Sequence, residues 1–326
     1  MKYGVMGTGW IAESFIRGAR LKCNADFTCL YSRTSQKGNE YALKNGIPKV
    51  YTDLNEFASA DFDAVYIASP NLFHASQSGL MLKAGKHVIC EKPVTVTPEE
   101  LIENQATASK NGLIYMEAIM YMHTPNRDKL RNAIGNIGNI TSAHFDFSQL
   151  SSKYPAYLNG ETPNIFNPSL ATGCLMDLGI YCVYPAVDLF GVPDKITADS
   201  IFLRTGADSS GNSVFNYGDK LITLTYSKTG QDYSGSSVYG DKGTIIIESI
   251  SKLINGKLIM HGGAEETVCP YMEKDDIMGF EAVDFEKFIN GLNLNKYDLC
   301  NKISLLVSKI MQDIRNESGI RFGNGV

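Results

Sequence analysis

The chain has 326 residues, 44% of them hydrophobic and 20% charged, with a formal net charge of −5. That is the profile of a globular protein long enough for one large domain or two ordinary ones. A mildly acidic balance argues against nucleic acid or an anionic membrane as the main partner, and no run of about 18 apolar residues is present to span a bilayer. The opening "YGVMG" lacks the charged lead and apolar stretch of a secretory leader, so a cytoplasmic location is expected. Seven cysteines, at 23, 29, 90, 174, 182, 269 and 300, are odd in number, scattered and without C-x-x-C. Free thiols in a reducing compartment are expected, with no disulfide framework and no metal site.

The first third alternates strand-like and helix-like segments. "YGVMG" reads as a strand and Ile11 to Arg20 as a helix. "DFTCLYS" reads as a strand ending at Ser32, and "SQKGNEYALKNGI" as a helix stopped by Gly46. "FDAVYIASP", nearly all apolar, reads as a strand covered on both faces. "NLFHASQSGLMLKAGK" is a helix, "HVICEKP" a strand, and "TPEELIENQATASKNG" a helix with Thr97 as cap and Pro98 at its first position. "LIYMEA" closes the series. The alternation predicts βαβ units and a doubly wound parallel sheet.

Within that pattern "GTGWIA" is a Gly-x-Gly-x-x-Ala loop between a strand and a helix. Gly7 permits the tight turn, Gly9 the approach of a pyrophosphate, and Ala12 close packing of helix on strand. Gly7, Thr8, Gly9, Trp10 and Ile11 are the expected phosphate contacts at a helix N-terminus. An NAD-binding fold of this kind carries an Asp or Glu at the end of its second strand; here the stretch reads "YSRTSQK". Ser32 can donate to a 2′-phosphate, Arg33 can pair with it or lie on the adenine, and Lys37 adds charge one turn on. NADP is therefore favoured and NAD left possible, since Arg33 and Lys37 also suit an ordinary solvated helix start.

Beyond "MEAIMYMHTP" the pattern changes. "IGNITSAHFDFSQL" alternates as a strand, and further strands are predicted at about 195–206, 213–227, 236–249 and 251–260. Gly240-Asp241-Lys242-Gly243 reads as a hairpin turn. Many strands with few helices between them predict an α+β domain with a mostly antiparallel sheet. The expected division is a Rossmann domain over 1–120 and a second domain over 121–326, with helical runs at about 276–292 and 298–317 packed back against the core.

"AGKHVICEKPVTVTPEE", taken with "GTGWIA", "SRTSQK" and "YIASPNLFH", resembles the family of glucose–fructose oxidoreductase and inositol dehydrogenase. The resemblance runs through residues 1 to about 120 and more loosely beyond. It implies that Glu91 and Lys92, with Pro93 after them, lie at the nicotinamide, and that Ser69, Pro70 and Asn71 pass under the cofactor with His74 on its side. An ammonium at a strand's C-terminal end can bond the reacting hydroxyl. Read from residues alone, Lys92 is equally a solvent-facing turn lysine, Asn71 a helix cap, and His74 a structural histidine. "NPSLATGCLMDLGIYCVYPAVDLFG" is similar to the family segment carrying an aspartate and, four residues on, a histidine or tyrosine. Here these are Asp177 and Tyr181, on one helical face. The tyrosine matches the family's dihydrodiol and xylose dehydrogenases, whereas Ala171-Thr172-Gly173 departs from its usual glycines.

The resemblance implies an NAD(P)-dependent oxidoreductase that moves a hydride between nicotinamide and a hydroxyl or carbonyl of a sugar, polyol or cyclic diol. Lys92, Tyr181 and Asp177 would meet in one crevice, and the second sheet would be large, open and mostly antiparallel, with a homodimer or homotetramer forming through it. The alternatives are a non-catalytic NAD(P)-binding regulator on the same fold and a reductase of a non-sugar carbonyl. His123 falls where it could touch substrate, and His144 reads as structural.

Overall fold

The five apolar segments of the first third, joined by one short strand besides, form a sheet of six parallel strands. The computed structural model describes residues 1–323, so 324–326 of the expected second domain lie outside the described residues. The elements run β1 (Lys2–Met6), α1 (Trp10–Cys23), β2 (Asp26–Tyr31), α2 (Ser35–Asn45), β3 (Lys49–Tyr51), α3 (Leu54–Ala58), β4 (Ala64–Ile67), α4 (His74–Lys83), β5 (His87–Glu91), α5 (Pro98–Lys110), β6 (Tyr115–Ala118) and α6 (Met120–His123). The strand order is β3-β2-β1-β4-β5-β6. Sequence direction reverses between β1 and β4, and ligands of such sheets bind outside the strand ends at that switch point. All four residues of β4 are buried, as its continuous apolar run predicts. The helix starts follow local chemistry: Thr97 and Glu100 form a capping box on α5, with Pro98 in its first turn.

The remaining elements are α7 (Asn126–Ile134), β7 (Ile140–Ser148), α8 (Tyr154–Leu158), α9 (Ile180–Phe190), β8 (Lys195–Phe202), β9 (Asp208–Asn216), β10 (Leu221–Ser227), β11 (Ser236–Gly240), β12 (Gly243–Ser249), β13 (Ile254–Met260), β14 (Glu265–Cys269), α10 (Lys274–Ile289) and α11 (Leu294–Ser318). The eight strands form one sheet, ordered β14-β13-β12-β11-β7-β10-β9-β8. Every pairing is antiparallel except that of β7 with β10. One face is the core, with Phe145, Phe215, Leu224, Tyr226, Val238 and Ile245 fully buried. The end of α9 is fixed by Asp188, which accepts from Arg127 Nη2 at 2.6 Å and Arg131 Nη1 at 2.9 Å. On the other face Leu221, Tyr239 and Ile246 are exposed.

The chain divides into two compact units, Met1–His123 with Glu273–Leu305, and Thr124–Met272 with Leu306–Val326. Thus part of the expected second stretch, 273–305, belongs with the first sheet. Its attachment uses pairs far apart in sequence. Arg17 binds Asp275 at 2.7 Å, Lys22 binds Asp276 at 2.7 Å, and the Tyr3 hydroxyl donates to Glu286 at 3.2 Å. Periodicity reveals the helix but not its partner. The predicted run 213–227 is two strands with a turn at 217–220, and 236–249 is the expected hairpin. The short strands β3 and β14 were not expected. Among the described residues no disulfide joins any of the seven cysteines.

Candidate active site

In the first unit the glycine loop separates two requirements. Gly7 has φ +116°, and a Cβ there would lie 2.5 Å from the Ala68 carbonyl oxygen; its glycine is demanded by the neighbouring strand. Gly9 has φ −90° and ψ 169°, open to any residue, and a Cβ there meets no protein atom within 4 Å. No described part of the fold thus requires glycine at position 9, and the open cradle fits a group brought by a ligand, as the expected approach of a pyrophosphate needs. The first N–H groups of α1 have no side-chain cap and point out of that cradle, as a pyrophosphate needs. Ala12 is fully buried. The exposed ring of Trp10 carries the Lys274 ammonium 3.7 Å from its centroid.

At the end of β2 the Ser32 hydroxyl donates to the Thr34 carbonyl at 3.0 Å. Arg33 and Lys37 are exposed around the start of α2, whose cap residue Thr34 makes no side-chain bond and whose first turn has no acid. Two cations beside uncapped N–H groups suit a phosphate. The stretch of residues 31–37 carries no carboxylate of its own to hold a ribose.

The loops after β4 and β5 are tied together by His74. Its Nδ1 lies 2.8 Å from the Pro93 carbonyl and its Nε2 2.7 Å from the Ser69 carbonyl. Burial pulls the imidazolium below its ordinary range while the two carbonyls oppose this. Both ring nitrogens are thus engaged with backbone. Asn71 does not cap α4, because a short 3₁₀ turn, Asn71–Phe73, precedes that helix. The Lys92–Pro93 bond is cis, and Glu117 on β6 accepts from the Val94 N–H at 3.0 Å. Lys92 is half-buried at the C-terminal end of β5. Glu91, 7% exposed, turns inward and accepts from the Tyr66 hydroxyl. His123 gives Nδ1 to Asp284 at 2.8 Å in the interior.

Behind Glu91 lies Glu281 on α10, which neither motif nor periodicity singles out. It is 1% exposed and its Oε2 has no hydrogen-bond partner among the described residues. Burial, and then repulsion from Glu91, hold its carboxyl well above the usual range. A carboxyl whose folded pKa exceeds its unfolded one stabilises at low pH, and that contribution is lost as pH rises through the folded pKa. Glu281→Gln is therefore expected to flatten the fall in melting temperature between about pH 5 and about pH 9, and to stabilise the protein at the alkaline end by about 1–3 kcal/mol. Thermal melts across that range check it; parallel curves for the two proteins would contradict it.

In the second unit the segment read as one helix is broken. A 3₁₀ turn at Pro168–Leu170 ends on Ala171 at φ 53°, the left-handed conformation that glycine adopts without strain. A π-helical turn, Leu175–Gly179, then leads into α9. Such turns gather at functional sites. Asp177 lies on the π turn, 32% exposed at its side chain, and Tyr181 in the first turn of α9, 8% exposed with its ring edge-on to Phe147. Asp208 from β9 accepts from the Leu175 N–H at 2.6 Å. Burial pushes this carboxyl up to about 6. A Cβ on Gly173 would collide with it, at 1.9 Å. Asp177 accepts from Lys228, a residue that carries no sequence signal.

Among the described residues no group of three His, Cys, Asp or Glu could hold a metal ion, and no helix is long and apolar enough to cross a membrane. Residues 1–119 match the oxidoreductase family model with an NAD-binding Rossmann fold, and 129–246 match the GFO/IDH/MocA C-terminal domain. Over 321 residues the chain is 34% identical to the NADP⁺-dependent scyllo-inositol 2-dehydrogenase IolU of Bacillus subtilis, covering 98% of each. The chain belongs to the Gfo/Idh/MocA family of NAD(P)-dependent oxidoreductases. Another family relative, mouse trans-1,2-dihydrobenzene-1,2-diol dehydrogenase, is 29% identical over 283 residues, 84% of this chain and 82% of that one. The 3-ketoreductase KijD10 of Actinomadura kijaniata, solved with NADP and TDP-benzene, shares the fold. Its TM-score is 0.85 with 98% of each chain covered, at 19% identity.

Proposed function

We propose that this protein is an NADP(H)-dependent dehydrogenase of a polyol, sugar or cyclic diol. The observation that carries the reading is the clustering of the glycine loop, the Ser69–Asn71 turn and Lys92 at the C-terminal ends of β1, β4 and β5, which are adjacent in the sheet. When bound, the nicotinamide exchanges a hydride with the substrate carbon. Gly7 to Ile11 grip the pyrophosphate, and Ser69, Pro70 and Asn71 line the ribose path. Arg33 and Lys37 bind the 2′-phosphate, with Ser32 at the base of their loop. Lys92 bonds the reacting oxygen and favours its anion. Tyr181 takes the hydroxyl proton during oxidation and returns it during reduction. Asp177 accepts from a second substrate hydroxyl. Glu91 and His74 hold the Lys92 turn from behind. The exposed apolar face with Leu221, Tyr239 and Ile246 suits a second copy of the chain, giving a homodimer or homotetramer, and cysteines not joined by disulfides suit the cytoplasm.

Titrating the single tryptophan's fluorescence with NADPH and NADH, followed by rates with a panel of polyols, tests this. NADPH is expected to bind about 10-fold or more tighter, a difference of about 1.4 kcal/mol, and at least one polyol is expected to be oxidised. Tight NADPH binding without turnover of any substrate would instead favour a nucleotide-sensing regulator. Equal affinity for both cofactors would remove Arg33 and Lys37 from the phosphate site.

A further inference from the structure

Lys228 follows β10 directly, and its backbone N–H donates to the Ser209 carbonyl at 2.8 Å. The residue is 4% exposed. Its ammonium donates to Oδ2 of Asp177, and of that pair only the carboxylate reaches solvent, with side-chain exposures of 5% and 32%. The same cation acts on Asp208, which is fully buried, and on the thiol of Cys174. One buried ammonium thus serves two carboxyls at the start of the segment that carries Tyr181. A buried lysine is costly unless paired, and a solvated Asp177 would need no such partner. The pairing makes sense if Asp177 must stay ionised and oriented. An ionised carboxylate only accepts hydrogen bonds, and a side chain held at one oxygen cannot rotate away.

Asp177 on the π turn and Tyr181 in the first turn of α9 are four residues apart, about one turn from each other along one continuous helical segment. Two groups so placed can address neighbouring oxygens of one small molecule. Resting on the role given above to Asp177, we propose that Lys228 is a positioning residue. It fixes Asp177 as the acceptor for the substrate hydroxyl next to the one that reacts. Lys228 itself touches neither substrate nor cofactor. Its loss weakens recognition of the second hydroxyl and leaves reaction at the first.

The test compares wild type, Lys228→Met, Lys228→Arg and Asp177→Asn, with NADP⁺ and either trans-cyclohexane-1,2-diol or cyclohexanol. A site built to bond a hydroxyl discriminates strongly against a substrate lacking it, and a partly exposed contact is expected to give about 10- to 100-fold preference for the diol. Lys228→Met is expected to lose most of that preference through a higher KM for the diol, with kcat and the mono-alcohol rate within about threefold of wild type. Lys228→Arg keeps the charge and is expected to restore most of the preference. Should Lys228→Met fail to fold, Lys228→Gln replaces it under the same criterion. Equal losses on both substrates, or an unchanged preference in Lys228→Met while Asp177→Asn loses it, would overturn the inference and leave the proposed function standing. An inert Asp177→Asn would instead remove Asp177 from the site. No turnover of either substrate by wild type would overturn the proposed function and this inference together.

Discussion

Tyr181→Phe is expected to lower kcat by about 10²- to 10⁴-fold, the range lost when a positioned acid–base group is removed. The substitution keeps the ring, and with it the edge-on contact with Phe147, so stability should change by no more than about 1 kcal/mol, the value of one hydrogen bond. NADPH affinity should stay within about twofold, because the proposed mechanism has the tyrosine act on substrate and not on cofactor. A free tyrosine has a pKa near 10, too high to work as a base at neutral pH unless a cation favours its anion. Lys92→Met, which removes the cation the proposed mechanism places at that hydroxyl, should therefore bring a loss of similar size and move the ascending limb of the oxidation rate profile to higher pH. Steady-state rates with circular dichroism and single-tryptophan titration check both variants. Rates within threefold of wild type in either would remove that residue from the catalytic assignment.

The two glycines of the loop should separate cofactor binding from folding. Gly9→Ala places a methyl in the open cradle at a φ that alanine adopts freely. The protein is expected to melt no lower than wild type, and to gain up to about 1 kcal/mol from the reduced freedom of its unfolded chain. NADPH affinity should fall by about 10- to 100-fold, each factor of ten being about 1.4 kcal/mol. Gly7→Ala combines a strained φ of +116° with a contact of 2.5 Å to the Ala68 carbonyl. It should cost about 1–3 kcal/mol of stability and lower the melting temperature by several degrees. Titrations and thermal melts of both variants check this. A destabilised Gly9→Ala with normal affinity would mean that the cradle serves the fold and not a ligand.

The first sheet was legible because its strands are continuous apolar runs separated by helices with capping and stop residues. Thr97-Pro98 and Gly46 mark their boundaries by local chemistry, and both appear in the fold. The hairpin at Asp241–Lys242 was legible for the same reason. What could not be read was contact at a distance. Nothing local ties Asp275 to Arg17, so the return of 273–305 to the first unit was missed. Asp177 and Tyr181 carry a spacing that the sequence displays. Lys228, 51 residues from its partner, and Glu281, an acid on an otherwise ordinary helix, acquire their environments only through packing. The break before α9 was hidden as well, since Ala171 has no sequence mark of a left-handed residue.

The account depends on Lys92 and Tyr181 acting on one reacting hydroxyl, and a double-mutant cycle on kcat measures this directly. Groups that act as a unit are strongly non-additive. Lys92→Met combined with Tyr181→Phe is therefore expected to be no slower than the worse single variant by more than about threefold. Losses that multiply would show two groups working independently, and the shared-site mechanism would be wrong.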